Sequence, residues 1–399
     1  MPTANELFHD ALIRHQTYLL RYSGQVRNEV NRILDATEEN VVARIMARLE
    51  AGTELRAPED WRRLNTLMEQ IKTVRSKGWV DATKSMEESI IAVTLHEGSS
   101  LATTLAATMP VIIDPVLPPA STLKSIVTSR PFEGRVMREW ASKMEADDLV
   151  RIRTAIQTGM LSGEGVEQIT RRVVGSKVFK YKDGITELTR QGVQTVVRTG
   201  VMHSTNHARR EFYDSNRDII PSELYVATLD SRTTPVCRAN DGKVFEAGKG
   251  PQPPLHFQCR SLRIAAIDSI LATNRPMKPV TEKMLLREFS RRKGFGKEIT
   301  NRDLLPRGTK GEFDKFSRQR VRELVGQVPK ETTYSQFLSR QSIEFQEDTL
   351  GVTKAKLFRE GGLELDRFVN RNGDELTLSQ LASREREAFI KAGLDPKEF

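Results

Sequence analysis

From Asn5 to Leu49 the apolar residues fall at helical spacing. Phe8, Leu12, Leu19, Val26, Val30, Ile33, Leu34, Val41, Ile45 and Leu49 recur on one face with charges between them. Pro58, suited to a first helical turn, opens a second block through Trp61, Leu64, Leu67, Ile71 and Val74. The apolar runs that follow, SIIAVTL and SLATTLAATM, extend the pattern. The stripe reads as a bundle seam or as a groove for a partner helix, and periodicity alone does not separate the two. The segment Met109–Pro119 breaks the pattern, because its four prolines remove backbone donors and disfavour helix in the residues before them. A first domain boundary belongs there.

Helical character returns from Leu123 to Val174, interrupted at Gly159–Gly165, and again from Thr186 to Ser215 with Val193, Val196, Val197, Val201 and Phe212. Leu224–Leu229 (LYVATL) is the one clear short strand and opens a loop-rich stretch to Arg263. From Pro279 onward the chain reads as charged helix, with an Asn-Gly turn signal in Asn370–Leu378 (NRNGDELTL) before a last helix. No repeat of solenoid or propeller period is present. The expected fold is mainly α with a small α+β central module. Its parts are a helical N-terminal region over 1–109, a central domain over 120–265 and a charged helical region over 279–399.

Composition adds constraints. The 399 residues are 38% hydrophobic and 29% charged, enough for a sizeable core and unlike a disordered chain. The net charge of +9 favours polyanions, but 62 basic and 53 acidic residues are interspersed, so a solvated surface explains most of it. No stretch approaches the roughly 18 apolar residues of a membrane span, and MPTANELFHD lacks the cationic start of a signal peptide. Two cysteines, Cys237 and Cys259, form no disulfide framework and suit a reducing compartment.

The informative stretch is Tyr225–Arg263. Asp230 ends a strand and is placed to accept from the amides of the next turn, and Arg232 is placed to pair with Asp230 or Asp241. Asp241-Gly242 is a tight-turn signal into the short strand KVF, Pro253-Pro254 stiffens the approach to His256, and Cys259-Arg260 returns the second thiol toward the first. Catalytic readings fail on missing parts. HSTNH has Ser204 where a zinc protease needs glutamate, and five residues separate Gly242 from Gly248 where a phosphate loop needs four. A nuclease built on His256, Asp230 and Asp241 lacks a second metal carboxylate. Two thiols and His256 fall short of a tetrahedral zinc set, so no metal or other cofactor is expected. The alternative role for the cysteines is that of small buried apolar residues, with His256 as a hydrogen-bonding strut.

With Asp230, Arg232, Thr233, Cys237, Asp241, Gly242, Pro253, Pro254, His256, Cys259 and Arg260 in this order, the stretch resembles the phage Mu protein F-like head-morphogenesis family. The preceding helix, with Arg198-Thr199, Asn206 and Tyr213, is similar too. The resemblance is specific from Leu123 to Arg263 and looser from Tyr334 to Phe358; nothing before Pro110 matches. Three departures are Gly200, where the family usually has an acid, and Thr234 and Ser261, where some relatives have cysteines that complete a zinc-like set. The resemblance implies a non-enzymatic minor head protein. Its expected partners are the portal protein and capsid or scaffolding proteins, with packaged double-stranded DNA as a non-specific contact and no membrane. Its expected place is the phage head interior or portal vicinity, after assembly in the host cytoplasm. The alternatives are a metal-dependent nuclease and an assembly factor absent from the virion. Arg291, Arg292, Lys293 and Lys297 in RRKGFGK are the best-placed cations for DNA-backbone contact.

Overall fold

The computed structural model describes residues 4–50, 52–109, 113–266, 274–324, 326–329, 332–370 and 372–399. The first two apolar blocks become α1 (Ala4–Asp35), α2 (Glu38–Leu49) and α3 (Pro58–Thr108). Pro58 occupies the first turn of α3, where its missing N–H costs nothing. The runs SIIAVTL and SLATTLAATM continue that helix, whose 51 residues span roughly 75 Å at 1.5 Å per residue. Of the proline-rich interruption, residues 110–112 lie outside the described set. The remainder is extended and is clamped by Asn216, whose side chain accepts from Val116 N at 2.8 Å and donates to Val116 O at 2.9 Å.

Four further helices follow: α4 (Ala120–Ser129), α5 (Met137–Leu161), α6 (Val166–Val174) and α7 (Thr186–Ser215). The N-terminal helices share their cores with these. Leu19, Val26 and Val30 of α1 and Trp79, Met86 and Ile90 of α3 pack with Met137 of α5 and Val193, Val197 and Val201 of α7. A second core joins α2 and the start of α3 to Ile152, Ile156, Ile169 and Val173. A third joins Phe8, Leu12, Leu101 and Leu105 to Phe212 and to Ile264 in the sheet described next.

The sheet is β3-β1-β4, antiparallel throughout, from β1 (Ser222–Val226), β3 (Val244–Glu246) and β4 (Leu262–Ala266). The run LYVATL therefore does not form one strand. It ends at Val226, because Ala227 N donates to the Asp241 carboxylate at 2.7 Å, and resumes as β2 (Leu229–Asp230) in a different sheet. That second sheet has the order β2-β5-β6, with β5 (Asn274–Lys278) parallel to β2 and β6 (Gly326–Pro329) antiparallel to β5. β4 was hidden in a stretch read as loop. Leu262, Arg263, Ile264 and Ala265 are all buried, so the apolar–polar alternation that marks a half-exposed strand is missing.

The C-terminal region has two cores. One holds α9 (Glu282–Lys293) against α10 (Lys310–Leu324) through Phe289, Phe313 and Phe316. The other gathers short helices, α11 (Tyr334–Ser339) to α15 (Arg386–Lys391), around Phe337, Phe345, Leu357 and Phe389, and it includes Leu229 of β2. The chain is thus mainly α-helical with a small α+β module, as its periodicity predicts.

Two carboxylates of the helical part, Asp148 and Glu97, are no more than 1% exposed. Asp148 accepts from Arg75 Nε at 2.8 Å, Trp79 Nε1 at 3.2 Å and Thr189 Oγ1 at 2.7 Å, joining α3, α5 and α7. Glu97 of α3 pairs with Arg209 of α7 at 2.5 Å and with His15 Nε2 of α1 at 2.6 Å. Burial alone would raise the Glu97 pKa, but Arg209 and His15 hold it below the ordinary carboxylate value. Removing one partner strands the other charge. Glu97→Ala is expected to destabilise the protein by about 3–5 kcal/mol in urea unfolding, and Glu97→Leu with Arg209→Met to recover most of that loss. A single-mutant loss under about 1 kcal/mol would show that this pair does not carry the α1–α3–α7 junction.

Candidate functional site

The family-like motif residues lie in the module built by β1, β3 and β4, with α8 (Pro235–Asn240) packed beside them. They separate into three groups. In the first, Asp230 is buried and its oxygens accept from Arg260 at 2.5 and 2.7 Å, from Arg232 N at 3.0 Å and from Thr233 Oγ1 at 3.2 Å. The amide contact is the expected turn closure. The principal salt bridge is to Arg260, while Arg232 reaches Asp230 only at 3.5 Å. Burial pushes the Asp230 pKa up, but the Arg260 hydrogen bonds win and lower it.

The second group is Asp241 and Gly242. One Asp241 oxygen takes Ala227 N and the other takes Tyr334 N at 2.7 Å, so a single carboxylate ties the module to α11. Gly242 has φ of 79° and its absent Cβ would meet Thr333 Cγ2 at 2.7 Å, so the turn requires glycine both for its conformation and for its space. Tyr334 also donates through its hydroxyl to Asp230 O at 2.8 Å, and Arg238 stacks over the Tyr334 ring.

The third group is Cys237, His256 and Cys259. Their ligand atoms lie within 4.8 Å of one another. Cys237 Sγ is 3.7 Å from Cys259 Sγ and 3.4 Å from His256 Nε2, and Tyr225 donates its hydroxyl to Cys237 at 3.3 Å. The Cys259 hydrogen bond, helped by His256, Ser261 and Thr234, pulls the Cys237 thiol down to about 3 against the effect of burial. The same contact pushes Cys259 up, so one thiol donates and the other accepts. Burial lowers the His256 pKa, but the Cys237 contact outweighs it and raises the value. A zinc ion would find two sulfurs and one imidazole here. Thr234 and Ser261 offer hydroxyls where a structural site needs further thiolates, so the donor set does not complete a tetrahedron. Cys237 is only 1% exposed, which keeps its sulfur from meeting a substrate. Pro253-Pro254 is a cis peptide leading into this turn.

Arg291, Arg292, Lys293 and Lys297 are remote from these groups in the fold, at the end of α9. All four are exposed. Their clustering has a local cause, since Arg291, Arg292 and Lys293 fill the last helical turn, where cations complement the helix dipole, and Gly294 caps it at φ 66°. Arg292 pairs with Glu288 and Lys293 with Glu312, both at 2.7 Å.

Sequence reasoning missed Arg238 and Tyr225, which are buried in the module, and Arg198 and Lys278, which act electrostatically on the Asp230 group. Arg198 was quoted only as part of a resemblance. Nothing in the local pattern pointed to Lys278, whose place depends on the parallel pairing of β2 with β5. Gly200, where the family usually has an acid, sits where α7 meets α5 so closely that a Cβ would lie 2.3 Å from Met137 Cε. His203 and His207 face each other with ring centroids 4.4 Å apart, and Arg130 Nη1 lies 2.6 Å from His207 Nδ1, a cation where a metal would have to be.

The geometry defines a module in which Asp230, Asp241 and His256 are engaged by other side chains and by the backbone. Residues 150–264, 29% of the chain, match the family described as Phage Mu protein F like protein. Comparison with curated proteins found no match, and comparison with solved structures found none.

The histidine pair sets a pH response. Burial, with Arg130, holds His203 at about 4, and burial, with His203 and Arg130, holds His207 at about 3, both below the ordinary 6.5. Between about pH 6.5 and 4 the unfolded chain binds protons that the folded chain refuses, so stability falls as pH falls through that window. The expected result is a lower urea midpoint at pH 5 than at pH 7, with a smaller difference in His203→Gln/His207→Gln. An equal difference in the variant would remove these histidines as its source.

Proposed function

We propose that the protein has a phage head-morphogenesis role, a reading supported by the family match over 150–264. It fills that role as a minor head component that binds the portal or the inner capsid, or scaffolding protein during assembly, and performs no catalysis. The observation that carries the reading is the family match over 150–264, the segment that contains α7, β1, β3 and the first three residues of β4. The chemistry supports it. Asp230 and Asp241, the carboxylates of a hypothetical nuclease centre, are engaged by Arg260 and by backbone amides, and His256 by Cys237 and Phe257 O. The motif residues then serve as fold determinants and contact points. No helix among the described residues is long and apolar enough to cross a membrane.

Quantitative mass spectrometry of purified proheads and mature virions tests this reading. A few copies per particle in both is the expected result. Presence in proheads alone would make it a transient assembly factor, and absence from both would overturn the head-protein reading.

The loop after α9 is the part of this reading that concerns DNA. Arg291 and Lys297 have no salt-bridge partner among the described residues, which leaves them available to phosphates beside a packaged genome. Arg291→Ala with Lys297→Ala should weaken retention on duplex DNA and lower the salt slope by about two. Unaltered retention at low salt would exclude this loop.

A further inference from the structure

Most buried charges of this protein are balanced within their own clusters. Arg75 faces Asp148, Arg209 faces Glu97, and Arg190 faces Asp35 and Glu38. The Asp230 group is different. Arg260 is spent on both Asp230 oxygens, and the same carboxylate is the only acid in contact with Arg232 among the described residues. Two further cations approach from other elements. Lys278 is the register partner of Asp230 across the parallel β2–β5 pair, and Arg198 projects from α7 with its Nε buried and without a hydrogen-bond partner among the described residues. Arg198, Arg232, Arg260 and Lys278 thus come from α7, the β2–α8 turn, the loop before β4, and β5. They surround one carboxylate, with Glu282 acting on Lys278 from the edge.

We propose that Arg198, Arg232, Arg260 and Lys278 form a binding site for a phosphate-group anion, either free phosphate or a phosphate on a nucleic-acid strand. Guanidinium groups present several N–H donors in fixed planes, and a tetrahedral dianion with four oxygens uses more of them than a carboxylate does. The site has a recessed and an exposed part, since the Arg260 side chain is 12% exposed and that of Arg232 is 71% exposed. Arg232 is free to swing onto an incoming anion, while Asp230 holds Arg260 in place beneath it. Arg198 and Lys278 are both held below their ordinary pKa values, by burial first and then by the neighbouring arginines. An anion seated among them removes that repulsion. The site is read from this chain's own residues and is independent of the head-protein reading and of the loop after α9.

The test is thermal unfolding of the full chain in inorganic phosphate against chloride at equal ionic strength. Phosphate strengthens burial in any protein, so the specific effect is what the variants remove. Arg232→Ala and Lys278→Ala should each weaken the apparent phosphate affinity by about tenfold, roughly the effect of losing one charge-assisted hydrogen bond. Arg44→Ala, at an exposed position on α2, should leave it unchanged. A phosphate shift that is linear in concentration and survives in Arg232→Ala and Lys278→Ala would overturn the site, as would a shift no larger than that in chloride. A short DNA duplex separates the two sources. Competition with phosphate, lost in Arg232→Ala, identifies a strand phosphate; phosphate binding without competition identifies a free anion.

Discussion

The carboxylate of Glu97 lies fully buried between the guanidinium of Arg209 and the imidazole of His15, and it can stay there only while three helices hold their positions. A buried charge without its partner costs several kcal/mol, so the pair specifies how α1, α3 and α7 meet more sharply than apolar packing does. The consequence extends along α7, which is enclosed almost continuously from Thr199 to Arg209. Several of its polar side chains find partners inside the enclosure. Thr199, Thr205 and Asn206 bond back to carbonyls of their own helix, and Thr189 reaches Asp148. The sheet module is built on the end of this enclosed helix, where Ala265 N of β4 donates to the Tyr213 hydroxyl at 3.2 Å.

Within the module the same logic recurs at smaller scale. Asp230 is occupied by Arg260, and Asp241 by two backbone amides that are 107 positions apart, Ala227 and Tyr334 (334 − 227). Asp230 and Asp241 each link separate elements, so these motif residues act as fastenings between β1, β2 and α11. The surplus of cations at Asp230 stands out because the fastening there is over-supplied.

Much of this was legible in the sequence. The helical face from Phe8 to Leu49 is buried at every predicted position except Ile33, which is partly buried, and the Asx turn at Asp230 and the glycine turn at Gly242 formed as their residue types dictate. The failures have physical causes. β4 carries a buried arginine, Arg263, whose charge is met by Glu223 and whose Nη1 donates to the carbonyls of Lys249 and Pro251, so its strand does not alternate. The break at Ala227 depends on Asp241, fourteen residues away, and local pattern carries no information about it. Arg232, expected to pair with Asp230 or Asp241, reaches Asp230 only at 3.5 Å, because Arg260, thirty residues along the chain, takes that carboxylate with better geometry. Cys237 and Cys259 do come together, as the spacing suggested, with His256 beside them.

The length of α3 has a wider meaning. One uninterrupted rod contributes to three separate hydrophobic clusters: with α5 and α7 at its middle, with α2 and α6 at its start, and with α1 and β4 at its end. The stretch that matches the family, 150–264, does not contain that rod. The matched segment therefore cannot close its own cores, since Val193, Ile156 and Phe212 each share a cluster with residues of the rod. Any sequence upstream of the match has to supply a rod with the same three faces.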